Sequence, residues 1–431
     1  MTKRMLLAVL LLIVFALPAG CQKQGGEPTQ PTAPAPTILP TPTPEPSPTP
    51  TPDPVGEALA GMTVEQKAAQ LLVAGIEGTE PGEDAVQAVQ GYQVGGVILF
   101  GRNVESAEQL AALTNGLKEL NGDYTPLFLC VDQEGGRVDR MPPEASRTPS
   151  AWSVGQTLDT EGVGVSYGEL LAAECAAFGF NMDFAPSLDI WSNPDNTVIG
   201  DRAFGNDWEW TAFFGMSAVE GMEKQGTVIP VVKHFPGHGD TAVDSHTALP
   251  VVDKTLEDLW QSELVPFDMV LSGQFWGEPV MEPTPAVMVA HILLSQIDPD
   301  NPASLSPEVV TGLLREEMGY EGVVCTDDLT MGAISNTYGM GEAAVLAVEA
   351  GCDLLLVCHG ADNLAAAHAA LVDAVDSGRI SMERLDESVY RVLSLKAVYG
   401  LSNAPVEAPD IKALNDRIAA LERSIEADTS Q

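Results

Sequence analysis

From residue 56 onward the chain alternates short, unbroken apolar runs with longer stretches whose apolar positions recur at helical spacing. The runs fall at 71–75, 96–100, 127–132, 181–186, 230–235, 286–292, 322–328 and 354–358. They lack the in-out alternation of a half-exposed sheet, so they read as parallel strands covered on both faces. Between them, 105–120, 162–178, 208–225, 256–271, 307–318, 341–350 and 362–375 have the length and periodicity of amphipathic helices. Ser306-Pro307-Glu308 supplies a cap followed by proline in the first turn, and Gly351 supplies a stop. Eight strands alternating with helices over 56–403 predict an α/β fold of the (β/α)8 TIM-barrel class in one domain. The competing arrangement for such a pattern is an open, doubly wound sheet. A closing helix is expected at 381–399, and the acidic end, 404–431, is expected to be a tail or a peripheral helix.

Polar residues are distributed unevenly over this pattern. The run ending at Val131 is followed by Asp132-Gln133-Glu134-Gly135-Gly136-Arg137, and Val232 by Lys233-His234. Ala290 leads into His291, and Thr326 into Asp327-Asp328. In a barrel the carboxyl ends of the strands form one mouth, so these groups are predicted to converge there. The densest stretch is Lys233-His234-Phe235-Pro236-Gly237-His238-Gly239-Asp240-Thr241, continuing to Asp244-Ser245-His246, with three of the six histidines. Gly237 and Gly239 allow unusual backbone angles and close approach. Asp244 and His246 are two apart, so in an extended loop they point the same way, and the carboxylate can hold one ring nitrogen while the other transfers a proton. His238 and His291 are equally readable as structural histidines. The histidine spacings match no common ligand pattern, so no metal and no cofactor are expected.

Composition adds an address and removes some partners. The net charge of −40, from 61 acidic residues against 21 Lys plus Arg, repels phosphate backbones, so no nucleic-acid partner is expected. Lys3 and Arg4, an apolar stretch over 5–17 and Pro18-Ala19-Gly20-Cys21 describe an export signal ending at Cys21. Ala-Gly-Cys resembles a bacterial lipobox, although Pro18 stands where that pattern has an aliphatic residue. It implies lipidation of Cys21 and a bilayer anchor on the extracytoplasmic side; ordinary cleavage and free secretion is the alternative. Residues 22–55 alternate proline with Thr, Ala, Ser or Glu, which predicts a stiff extended spacer with a reach of about 100 Å. The cysteines contain no C-x-x-C pair, and those at 130, 325, 352 and 358 sit in or beside apolar runs, which suits buried thiols.

At these residues the chain resembles the family-3 glycoside hydrolases, and within them the β-N-acetylglucosaminidase branch. The matching motifs are Asp132-Gln133-Glu134-Gly135-Gly136-Arg137, Ile199-Gly200-Asp201-Arg202-Ala203-Phe204, the 233–246 stretch and Thr326-Asp327-Asp328-Leu329-Thr330-Met331. Weaker echoes are Val289-Ala290-His291 and Pro302-Ala303-Ser304-Leu305-Ser306, and the resemblance spans about 57–400. It implies a barrel with a retaining mechanism, Asp327 as nucleophile, and Asp244 with His246 as an acid/base dyad on a mobile loop. It also implies that Asp132, Arg202, Lys233 and His234 hold sugar hydroxyls, with Arg137 a further candidate for the same subsite. Many relatives take the acid/base from a second domain, whereas this chain carries the loop dyad.

Retaining hydrolysis needs a carboxylate below the anomeric carbon and a proton donor beside the leaving oxygen. Asp328 rivals Asp327 for the first role. Strand alternation lets only one of them face the sugar, and the resemblance favours Asp327. The implied substrate is a glycan ending in N-acetylglucosamine, either a peptidoglycan fragment or a chitin-type oligosaccharide. Phosphorolysis, β-glucosidase activity and a sugar-binding lipoprotein without chemistry are the competing readings.

Overall fold

A computed structural model describes residues 53–160, 162–241, 245 and 248–430. Cys21, the export signal and nearly all of the spacer lie outside the described residues, as do Asp244 and His246. The first described helix begins slightly earlier than the hydrophobic pattern indicates. Asp53 caps a helix over Pro54–Ala60 by accepting from the Gly56 amide at 2.9 Å, and a second helix, Val64–Gln70, leads into the first strand.

Eight parallel strands close into a barrel: β1 (Leu72–Gly75), β2 (Gly96–Ile98), β3 (Phe128–Val131), β4 (Met182–Asp183), β5 (Ile229–Phe235), β6 (Ala286–Val289), β7 (Val323–Asp328) and β8 (Leu354–Val357). Neighbours in sequence are neighbours in space, and β8 closes on β1 with Leu72 opposite Leu355. This excludes the open sheet.

The unbroken apolar runs resolve into two faces. Val73, Ile98, Cys130, Met182, Val231, Met288, Cys325 and Leu356 fill the barrel interior. Their neighbours Leu72, Val97, Leu129, Val232, Val287, Val324 and Leu355 pack outward under the helices. Both faces are dry, so the sequence shows no polar alternation.

Helices occupy the predicted segments, including Ala107–Asn121, Val163–Ala177, Trp208–Glu223, Glu308–Glu317, Met340–Ala350 and Ala361–Asp376. Ser306 accepts from the Val309 amide at 3.3 Å, and Gly351 ends its helix at φ 119°. The 256–271 segment is two helices rather than one, Leu256–Leu259 and Leu264–Ser272. Pro266 is the reason: with no N–H to donate, it fits the first turn of a new helix and would break the middle of a long one. Met382–Val398 places Val392 and Leu395 against the barrel interior. The chain end is a peripheral helix, Ile411–Thr429, whose Ile418 and Leu421 join Tyr167, Leu170 and Leu171 of Val163–Ala177 in one cluster. Cys130, Cys175, Cys325, Cys352 and Cys358 are all buried, unpaired thiols.

Candidate active site

The carboxyl ends of β3, β5, β7 and β8 and the loop carrying Arg202 enclose a cavity of about 220 Å³. Asp132, Glu134, Arg140, Arg202, Lys233, His234, His238, Asp327, Asp328 and His359 are among its lining residues.

Glu134 is its electrostatic hub. The Arg202 guanidinium grips it with two parallel bonds, Nε to Oε2 at 2.7 Å and Nη2 to Oε1 at 2.8 Å. Lys233 Nζ lies 2.5 Å from Glu134 Oε1 and 2.7 Å from Asp132 Oδ1. Burial alone would raise the Glu134 carboxyl, but Arg202 and Lys233 outweigh it and hold the group well below the usual carboxylate range. Burial likewise disfavours the Lys233 charge, yet Asp132 and Glu134 raise its pKa above that of a free lysine. These residues are therefore a fixed ionic lattice, and Lys233 uses two of its three donors within it.

His234 is held from behind. Asp189 Oδ2 lies 2.5 Å from His234 Nδ1, Asp189 Oδ1 accepts from the His238 amide at 2.6 Å, and Ser187 Oγ donates to Oδ2 at 2.8 Å. His234 Nε2 faces Arg202 Nη2 at 3.2 Å, an arrangement that suits a ring proton on Nδ1 shared with Asp189. Burial opposes ionisation of Asp189, but His234 and His238 bring its pKa down far below the ordinary value.

His238 braces its own loop, with Nδ1 at 2.8 Å from Thr241 Oγ1 and Nε2 at 3.2 Å from Ser245 Oγ. Gly237 adopts φ 128°, and a Cβ on Gly239 would lie 1.7 Å from the Ile190 carbonyl oxygen, so both glycines are required there.

Asp327 and Asp328 both line the cavity, contrary to strict strand alternation. The reason is a bulge. Cys325 pairs with Leu354 and Asp328 with Leu356, so β7 spends three residues where β8 spends two. The same irregularity occurs at Lys233-His234, between the pairs Val232–Val287 and Phe235–Val289.

The two aspartates nonetheless differ. Asp328 is consumed structurally: Oδ1 accepts from the amides of Thr330 at 2.9 Å and Cys358 at 3.1 Å, and Oδ2 accepts from Thr330 Oγ1 at 2.6 Å. Asp327 accepts from the Asp328 amide at 2.7 Å through Oδ1. Burial pushes the Asp327 carboxyl up, but His291, His234, the Asp328 amide and Lys233 outweigh it, so it stays ionised below the usual range. His291 is a satisfied rim histidine, bonded to Ser304 Oγ at 2.6 Å and the Asp328 carbonyl at 3.0 Å.

Arg137 does not line the cavity. Its exposed guanidinium donates to the carbonyls of Thr197, Val198 and Ile199 at 2.5–2.7 Å and pairs with Asp201 at 3.0 Å. These bonds secure the loop leading to Arg202. Arg140, three residues on, lines the cavity instead, and its Nε is buried without a partner among the described residues. Sequence reasoning also left Glu134 and Asp189 without roles. Nothing in their spacing announces them, since each acts on a residue 40 or more positions away.

The Glycosyl hydrolase family 3 N terminal domain model matches residues 63–395. Beta-hexosaminidase A of Pseudoalteromonas piscicida is 34% identical over 341 residues, covering 74% of this chain but 56% of that protein. This chain thus spans little more than half of that relative. The Beta-hexosaminidase of Alkalilimnicola ehrlichii is 38% identical over 293 residues, 67% of this chain and 80% of that one. Among solved structures, a glycoside hydrolase family 3 beta-N-acetylglucosaminidase from Paenibacillus sp. superposes with a TM-score of 0.77 at 41% identity, covering 84% of this chain and 68% of that chain. The Beta-N-acetylhexosaminidase from Beutenbergia cavernae gives 0.69 at 30% identity, covering 78% and 99%. With the closed barrel, the polar mouth and a family match over most of its length, the chain belongs to glycosyl hydrolase family 3.

Proposed function

We propose that this protein is a retaining, exo-acting β-N-acetylhexosaminidase that removes terminal β-linked N-acetylglucosamine. One observation carries the reading: an ionised Asp327 shares a single cavity with the Asp132–Lys233–Glu134–Arg202 lattice. The cavity, about 220 Å³, is smaller than the roughly 300–1,000 Å³ of sites for larger ligands, which suits one terminal sugar ring rather than a chain interior. Asp132, Lys233 and Arg140 offer directed acceptors and donors for ring hydroxyls, and the locked lattice needs no rearrangement to do so.

In the first step Asp327 attacks the anomeric carbon and the bond to the leaving oxygen breaks. His246, oriented by Asp244, gives that oxygen its proton. In the second step His246 takes a proton from water, which displaces Asp327 and releases the free sugar. A histidine with a pKa near 6.5 serves both directions at neutral pH.

The substrate we favour is a peptidoglycan fragment or a chitin-type oligosaccharide. Its motivation is the export signal with Cys21 as lipid anchor and 22–55 as spacer. Cys21→Ala should move the protein from the membrane to the soluble fraction, and unchanged retention at the membrane would refute the anchor.

The test of the activity is turnover of a chromogenic β-N-acetylglucosaminide against the matching glucoside, followed by trapping with a 2-acetamido-5-fluoro glycosyl reagent and peptide mapping. We expect preference for the acetamido sugar, release of the free sugar even in phosphate buffer, and label on Asp327. Binding without turnover, or label on Asp328, would overturn the respective assignments.

A further inference from the structure

Behind the cavity, towards helix Val163–Ala177, lies a dry polar network that the proposed reaction does not use. Gln133 separates Asp132 from Glu134 and is itself fully buried. Its amide donates to Asp183 Oδ1 at 2.9 Å, its Nε2 donates to Glu174 Oε2 at 2.9 Å, and its Oε1 accepts from the Arg140 amide at 2.8 Å. The other Glu174 oxygen bonds Thr148 Oγ1 at 2.7 Å, and the Thr148 carbonyl accepts from the Gly136 amide at 2.8 Å. Tyr167 donates its hydroxyl to the Glu134 carbonyl. One buried carboxyl thus anchors both ends of the 132–148 loop, which supplies Asp132, Glu134, Val138 and Arg140 to the cavity.

We propose that Glu174 is a positioning residue for the terminal-sugar subsite, acting through Gln133 and Thr148 on the loop that carries Asp132, Glu134 and Arg140. This rests on the reading that the cavity binds a sugar. Around Glu174 are Asp139 from the loop, Asp183 from β4, Tyr167 and Cys175 from its own helix, and Arg417 from the C-terminal helix. Arg147 lies near Asp139, and Lys233, Asp132 and Glu134 lie beyond Asp183.

Burial and the Asp139 charge outweigh the stabilising bonds from Thr148 and Gln133 and the field of Arg417, and push Glu174 up to about 8. Asp183 is pushed up as well, and its Oδ2 has no hydrogen-bond partner among the described residues. At neutral pH Glu174 therefore holds its proton, while Thr148 Oγ1 and Gln133 Nε2 each donate to one of its oxygens. Loss of the proton adds a charge that repels Asp139, which sits on the same loop, and so loosens that loop. Sugar affinity is then intact below about pH 8 and weakens above it.

Glu174→Gln stays neutral at every pH; its amide donates to Thr148 and its oxygen accepts from Gln133. The experiment measures the Kd of N-acetylglucosamine for wild type and Glu174→Gln by calorimetry between about pH 7 and about pH 9.5. The ratio of the wild-type Kd to the variant Kd should rise about fivefold across this range, as repulsion between Glu174 and Asp139 displaces the loop. The ratio cancels titrations common to both proteins, and a pH-independent ratio overturns the proposal. Thr148→Val, which breaks the relay without changing charge, should raise KM about fivefold at pH 7, more than it changes kcat. An unaltered KM there overturns the proposal even if the glutamine variant does not fold. Failure of the wild type to bind the sugar at any pH would sink the sugar-site reading and this inference with it. Binding with a constant ratio sinks the relay alone.

Discussion

The two mouths of the barrel differ in a way that volume alone would misread. At the amino-terminal end of the strands a groove of about 1010 Å³ is lined by Pro283, Pro285, Val323, Tyr390, Leu395 and Val398. At the carboxyl end the cavity is about 220 Å³. The larger groove is apolar at its floor, and ion pairs lie at its rim: Asp386 pairs with Lys67 at 2.6 Å, and Arg391 with Glu387 at 2.8 Å. Among its lining residues Arg391 is the one cation, and Glu387, Asp353 and Glu321 already surround it. The smaller cavity combines Arg140, Arg202 and Lys233 with Asp132, Glu134, Asp327 and Asp328, and the Asp132–Lys233–Glu134–Arg202 lattice holds its own members in place. Stabilising a developing oxocarbenium ion requires preorganised charge in a partly dry site, and apolar volume supplies none. The comparison also explains why a parallel barrel carries its chemistry at one end: strands running the same way deliver their following residues to the same rim.

The sharpest test of this contrast is removal of Asp327, the proposed nucleophile. Asp327→Ala should cost about 10⁴-fold or more in kcat, measured on a chromogenic β-N-acetylglucosaminide. Asp328→Asn, which disturbs the Thr330 and Cys358 amides, should cost about 10–100-fold. If the two losses were reversed, the assignment would be reversed too.

Next in size is the ionic hub. Glu134→Gln strands Arg202 and Lys233 and should lower kcat/KM about 100-fold and stability by about 3 kcal/mol in denaturant titrations. Its pH signature has a defined sign. The folded-state pKa of Glu134 is depressed, so its stabilisation is present above the reference value of 4.5 and is lost as pH falls below it. The glutamine variant should lose that acid-side dependence. Glu174 behaves oppositely: its raised pKa makes its contribution most favourable below 4.5 and progressively worse as pH rises to about 8. A Glu134 variant whose acid denaturation matched wild type would show that the lattice is not a folding element.

A smaller effect separates two arginines three residues apart. Arg140→Ala should raise KM about tenfold, and Arg137→Ala, which touches only the supporting loop, no more than about threefold. Equal effects would place both in the same subsite. Smallest of all, Val398→Ser at the other mouth, where the side chain is 81% exposed, should change stability by less than about 0.5 kcal/mol and leave kcat/KM unchanged. A tenfold loss would show that the apolar mouth takes part in function after all.

Much of this molecule was legible from the order of its residues. Runs of apolar side chains long enough for a strand, repeated eight times, determine parallel packing between two dry layers, and ionisable residues at the run ends announce one polar rim. Local signals were equally readable where the physics is local: the Ser306 cap, the Gly351 stop and the glycines at 237 and 239. Pro266 carried the helix break as plainly, although the periodicity of 256–271 concealed it.

What only the tertiary structure decided are pairings and bulges. Two bulges bring adjacent side chains into one pocket, Lys233 with His234 and Asp327 with Asp328, because the register of a neighbouring strand, not the chain's own alternation, sets which way they point. Glu134, Asp189 and Glu174 acquire their roles from partners 41 to 99 residues away: Glu174 pairs with Gln133 at a separation of 41, Asp189 with His234 at 45, and Glu134 Oε1 meets Lys233, 99 positions on. The motif pointed to Arg137, whereas it is Arg140 that lines the cavity and Arg137 that ties down the loop before Arg202. Residue type and spacing determine what a segment can become, but a charge is defined by what lies across from it, and closure of the barrel determines that.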